Sequence, residues 1–127
     1  MELDDLTYKI RGAFFEVHKE LGPGLFESVY EMALMKEFEL QGIKAKNQVE
    51  LPVAYKDSFL ELGFRLDIIV EHKVIVEIKS VKAIEDIHKK QLLTYLKLSE
   101  IKIGFLVNFN STHIIDKESL FRIVNNL

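Results

Sequence analysis

Apolar residues recur at Leu6, Ile10, Phe14, Val17 and Leu21, three or four positions apart, which predicts a helix over residues 3–21. Gly22-Pro23-Gly24 ends it. A second helix is expected from Phe26 to Gln41, with Gly42 as its stop. The period then shortens. Val49–Tyr55 reads as a strand whose Pro52 suits a sheet edge. Phe64–Val70 and Val74–Ser80 read as two strands joined by a tight turn at Glu71–Lys73. Helical spacing returns over residues 85–99, followed by an apolar strand, Ile101–Phe109. Thr112–Asp116 is expected to form a short last strand, with a helical turn after Glu118. The order is helix, helix, three strands, helix, strand and tail, an α/β domain in which helices cover a central mixed sheet.

The paired strands at 64–80 carry charges inside aliphatic runs, where burying a charge is costly. Centring the turn on His72 puts Leu66, Ile68, Val70, Val74, Val76 and Ile78 on one purely aliphatic face. The other face receives Arg65, Asp67, Ile69, Ile75, Glu77 and Lys79, with Asp67 opposite Glu77 and Arg65 opposite Lys79. Two carboxylates this close repel unless a cation lies between them. Lys79 or Arg65 could supply it as a structural ion-pair cluster; so could a hard divalent metal such as Mg²⁺ or Mn²⁺.

Composition narrows the classes. At 127 residues the chain is the size of one domain, 1–127, with enough surface to bury a core. It has no cysteine, which excludes disulfides and cysteine-based zinc sites and suits a reducing cytoplasm. The acidic start lacks the pattern of a signal peptide, and no apolar run is long enough for a membrane span, so a cytoplasmic protein is expected. A net charge of −3 argues against non-specific coating of nucleic acid. No two of the four histidines have zinc-ligand spacing.

Three motifs give the charges a chemical reading. Asp67 is followed, after nine residues, by Glu77-Ile78-Lys79. Gln91 and Tyr95 share a helix face with His88 one turn earlier, although a polar seam beside Leu92, Leu93 and Leu96 would look alike. Gly24, Glu27 and Tyr30 read G-x-x-E-x-x-Y, where an acid near a helix start is also what the dipole favours. These stretches, with "HKELGPGLF" and "IGFLVNF", resemble the GxxExxY protein family, a bacterial branch of the PD-(D/E)XK nuclease superfamily, over roughly residues 5 to 110. Leu66 stands where the superfamily usually has proline.

The resemblance implies a single-domain restriction-endonuclease-like fold and metal-dependent hydrolysis of phosphodiesters, in DNA. It implies that Glu27, Asp67, Glu77 and the main-chain carbonyl of Ile78 hold Mg²⁺ or Mn²⁺, and that Lys79 serves the attacking water and the phosphate. Gln91 and Tyr95 complete the catalytic set, and His18, Tyr30, Arg65 and His88 flank substrate or ligands. His18 also reads as a helix cap, while Lys82, Lys89 and Lys90 are placed to meet phosphates. A homodimer or a protein partner is expected to supply specificity. The alternative is a catalytically inactive binding homologue of the same fold.

Overall fold

The computed structural model describes residues 1–126. Helices α1 (Leu3–Leu21) and α2 (Glu27–Leu40) precede strand β1 (Ala45–Leu51) and a small hairpin, β2 (Ala54–Tyr55) and β3 (Ser58–Phe59). Strands β4 (Phe64–Val70) and β5 (Val74–Lys79), helix α3 (Asp86–Ser99), and strands β6 (Ile103–Asn108) and β7 (Leu120–Val124) complete it. Five strands form one sheet in the order β1-β4-β5-β6-β7, with β5 and β6 parallel and the other neighbours antiparallel. This is the mixed, helix-flanked α/β sheet that the patterning predicts.

The core has two layers. Leu6, Ile10, Ala13, Phe14 and Val17 make the buried stripe of α1 and join Leu34 and Phe38 of α2 over one sheet face. Phe14 meets Phe105 edge-on at 5.7 Å, a geometry that matches the positive ring edge to the negative face. On the other face α3 contributes Leu92, Tyr95 and Leu96 against Leu66, Ile75 and Leu106. β6 is buried throughout and β5 up to its last residue, so their polar members Glu77 and Asn108 are buried along with the apolar ones.

Several boundaries differ from expectation. β1 begins at Ala45 and stops at Leu51, so Pro52 follows the strand, which does lie at the sheet edge. Thr112–Asp116 forms no strand, giving only one bridge from Asp116 to Leu120. The last strand is β7, where a helical turn was expected, because Phe121 and Ile123 alternate into the α3 layer while Arg122 and Val124 face outward.

Leu66 is the most consequential departure. β1 pairs with β4 from Ala45↔Val70 to Asn47↔Ile68, and again from Val49↔Leu66 to Leu51↔Phe64, skipping the step at Gln48 and Asp67. Ile68 and Val70 face the α1–α2 layer, whereas Phe64 and Leu66 face the α3 layer. Alternation therefore fails once, at Asp67, and Leu66 does not share a face with Ile68. Gln48 has φ 52°, a left-handed conformation that breaks the regular pleat of the strand.

α3 lies close on β6 because Gly104 has no side chain. A Cβ there would stand 2.9 Å from Leu92 Cδ1 and 3.2 Å from its Cγ. Gly104→Val is expected to cost about 1–3 kcal/mol. Denaturant unfolding should show a smaller loss when Leu92→Ala is added than the two single changes predict together.

Candidate active site

The site opens where β4 and β5 part. Their ladder runs from Val70↔Val74 to Ile68↔Val76 and stops. The next link is made by a side chain: Ile78 N–H donates to Asp67 Oδ2 at 2.8 Å. A backbone donor is thus satisfied by a carboxylate rather than by the facing strand. Arg65 does not lie across from Lys79 in a ladder pair; its guanidinium binds Glu50 of β1 at 2.9 Å.

Glu77, 7% exposed, is fixed by parallel pairing of β5 with β6 opposite Leu106. Its Oε1 is buried without a hydrogen-bond partner. Lys79 ends β5, half-buried, and forms no ion pair among the described residues. No side-chain cation therefore bridges Asp67 and Glu77, and the structural ion-pair reading of these charges fails.

A recess of about 160 Å³ collects most of the predicted residues: Glu27, Arg65, Asp67, Glu77, Lys79, His88, Gln91 and Tyr95 line it, with Leu92 and Leu106 as its apolar floor. α3 supplies three of the polar ones. Its start is fixed by a capping box in which Glu85 N–H donates to His88 Nδ1 at 3.0 Å. Tyr95 packs its ring on Phe64 at 4.9 Å. Burial, then the negative charges of Glu77 and Asp67, push its phenol pKa up, which keeps the hydroxyl a donor.

Glu27 reaches the recess from the first turn of α2, and its Oε2 accepts the Ser80 N–H at 3.0 Å. Ser80 Oγ also donates to the Leu25 carbonyl at 2.6 Å. Tyr30 is not in the recess. It is fully buried, donates its hydroxyl to Gly22 O at 2.6 Å and accepts Leu25 N–H at 3.1 Å. Its ring stacks on Phe109 at 4.5 Å, and His18, whose ring centroid lies 6.4 Å from that of Phe109, reaches Ser111 O at 2.8 Å. Tyr30 thus holds the Gly22–Leu25 loop that leads into Glu27 and its bond to Ser80, while the His18 side chain ties α1 to Ser111.

Ser80 and Asn108 escaped the sequence reading. Asn108 is buried, accepts Val81 N–H at 3.1 Å and donates to Val81 O at 2.9 Å, pinning the chain just beyond Lys79. The available signal was an amide inside an aliphatic strand, "FLVNF". Such an amide needs a partner when buried.

Asp67 and Glu77 thus line one polar recess, with Glu77 buried. Glu77 is pushed up to about 10, first by burial, then by its hydrogen bond to Asp67 and the charge of Asp67; Lys79 opposes this weakly. The unpartnered Oε1 and the hard oxygen donors fit a divalent cation in place of that proton. No group of three or more His, Cys, Asp or Glu side chains stands at ligand spacing among the described residues, so Glu27 does not complete a cluster with Asp67 and Glu77. The family described as the PD-(D/E)XK nuclease superfamily matches residues 4–121. The chain belongs to the PD-(D/E)XK nuclease superfamily. Searches of curated proteins and of solved structures give no match. No helix of the described residues is long and apolar enough to cross a membrane.

A raised Glu77 pKa has a definite sign. Folding favours its protonated form, so this contribution is complete below pH 4.5 and is lost as pH rises toward about 10. In chelator, stability should fall by on the order of 1 kcal/mol per pH unit across the neutral range. Glu77→Gln should flatten that slope, as followed by thermal unfolding at stepped pH.

Proposed function

We propose that this protein is a metal-dependent nuclease that hydrolyses phosphodiester bonds in DNA, using Mg²⁺ or Mn²⁺. The observation that carries the proposal is Asp67 beside the buried Glu77, which has an unpartnered oxygen, with no side-chain cation bridging the two among the described residues. Asp67, Glu77 and the Ile78 carbonyl would hold the ion, with Glu27 at the rim. The Ile78 carbonyl suits the role because the N–H and C=O of a strand residue point the same way, and its N–H already faces Asp67. When bound, a divalent cation supplies a more acidic water and offsets charge on the phosphate.

The chain's own groups do the remaining work. Lys79, free of carboxylate partners among the described residues, offers its ammonium to a phosphate oxygen and orients the attacking water. Gln91 and the protonated Tyr95 line the recess as donors for a substrate, and His88 stands at the α3 start beside them. Leu92 and Leu106, both buried, back the recess beneath these polar groups. Left-handed Gly24 before α2, with Glu27 and Tyr30 in its first turns bonding Ser80 and Gly22, supports placing the chain in the GxxExxY branch. A reducing cytoplasm suits its lack of cysteine, and a second copy would help it grip a duplex.

Cleavage of single-stranded, double-stranded and branched DNA, and of RNA, should be scored on gels with each metal. Lys79→Ala is expected to slow cleavage by roughly 10²–10³-fold, the loss seen when one transition-state donor is removed. Asp67→Ala should also abolish stabilisation by millimolar Mn²⁺ in thermal unfolding. A wild-type protein that cuts none of these polymers with either metal would point instead to a binding role.

A further inference from the structure

Asp67 reaches β5 at the step where two strands change face together. In β1, Ala45 faces the α1–α2 layer while Val49 and Leu51 face the α3 layer, and β4 reverses at the matching point. The skipped pair is Gln48 with Asp67. Gln48 is left-handed, φ 52°, a conformation that a non-glycine residue keeps only when its surroundings hold it.

Glu31 does the holding. It lies one helical turn beyond Glu27, is 8% exposed, and has both oxygens occupied. Asn47 Nδ2 donates to Oε2 at 3.1 Å and Gln48 Nε2 to Oε1 at 2.6 Å. Adjacent strand residues ordinarily point to opposite faces. Two of them converge on one acid here because Gln48 is rotated, and a carboxylate this buried needs both donors.

We propose that Glu31 and Gln48 are positioning residues for the candidate metal centre. Glu31 holds Gln48 left-handed, the β1–β4 ladder is interrupted at that step, and the Asp67 carboxylate is thereby turned from a sheet face toward Ile78 and the cation site. The inference rests on the metal reading of Asp67 and Glu77 given above.

Gln48→Ala, Gln48→Gly and Glu31→Gln test it against wild type. Alanine resists a positive φ and glycine accepts it, so the pair separates backbone conformation from side-chain loss. Glu31→Gln sets one amide donor against another. The first readout is hydrogen exchange of the Ile78 amide in metal-free protein, referenced to the Asn108 amide, which donates to Ser119 O at 2.8 Å. The second is Mn²⁺ affinity by calorimetry.

In Gln48→Ala and Glu31→Gln, Ile78 should exchange about tenfold faster relative to Asn108. Mn²⁺ affinity should fall about 10- to 100-fold, the range for residues that orient metal ligands. Gln48→Gly should recover most of both, although glycine in a strand ordinarily weakens it more than alanine. A purely structural role gives the opposite order, with Gly worse than Ala and the Ile78 to Asn108 ratio unchanged; that result overturns the proposal. If wild type binds no Mn²⁺, the metal reading fails, and the exchange ratio alone still decides whether Glu31 and Gln48 hold Asp67.

Discussion

The hydrogen bond from Ile78 N–H to Asp67 Oδ2 organises this molecule more than any other single contact. A backbone donor between two sheet strands has to find an acceptor, and the usual one is the carbonyl across the ladder. Giving it a carboxylate lets β4 and β5 separate without leaving that donor empty. The gap so made is where Glu77 looks out from β5 and where Lys79 ends the strand. Because β5 is the third of five strands and pairs in parallel with β6, the rest of the sheet holds it rigid while this end opens. Glu77 therefore sits on an interior strand with Asp67 reaching it from the neighbouring β4, which is how a small domain keeps charges close together.

Around this centre the loops are tied rather than merely adjacent. Tyr30 fills the core and uses its hydroxyl on the Gly22–Leu25 loop. Ser80 and Glu27 then join that loop to the residue after Lys79. Asn108 fastens the following residue, Val81, from the neighbouring strand. The ties of Tyr30 and Asn108 satisfy polar groups that burial would otherwise penalise, so these residues stabilise the fold and set the geometry together.

Much of this was legible in the sequence. Helical spacing located α1, α2 and α3 to within a residue or two, since each has an apolar stripe and a glycine or polar stop. The register about His72 is the one found, Ile69 opposite Ile75. Asp67, Glu77, Lys79, Gln91 and Tyr95 do share one recess. What periodicity could not show was the place where periodicity stops. A single rotated residue, Gln48, reverses two strands, and nothing in glutamine's composition advertises a positive φ. Tyr30 and His18 were visible as motif members, but a motif does not say whether a residue faces the reacting groups or holds the loop beneath them. β7 was missed because its alternation, Phe121 and Ile123 against Arg122 and Val124, spans only five residues.

The rotated step in β1 also bears on how the molecule meets its neighbours. β1 is an outer strand of the sheet, and an outer strand with free N–H and C=O groups is a template on which another chain can extend the sheet. Gln48 bends that template at its midpoint, and exposed Lys46 and Glu50 place charge on either side. A long flat pairing along β1 would have to straighten Gln48 and strip Glu31 of a donor. The same irregularity that aims Asp67 thus makes this edge a poor surface for sheet extension, and steers association of two copies toward other faces.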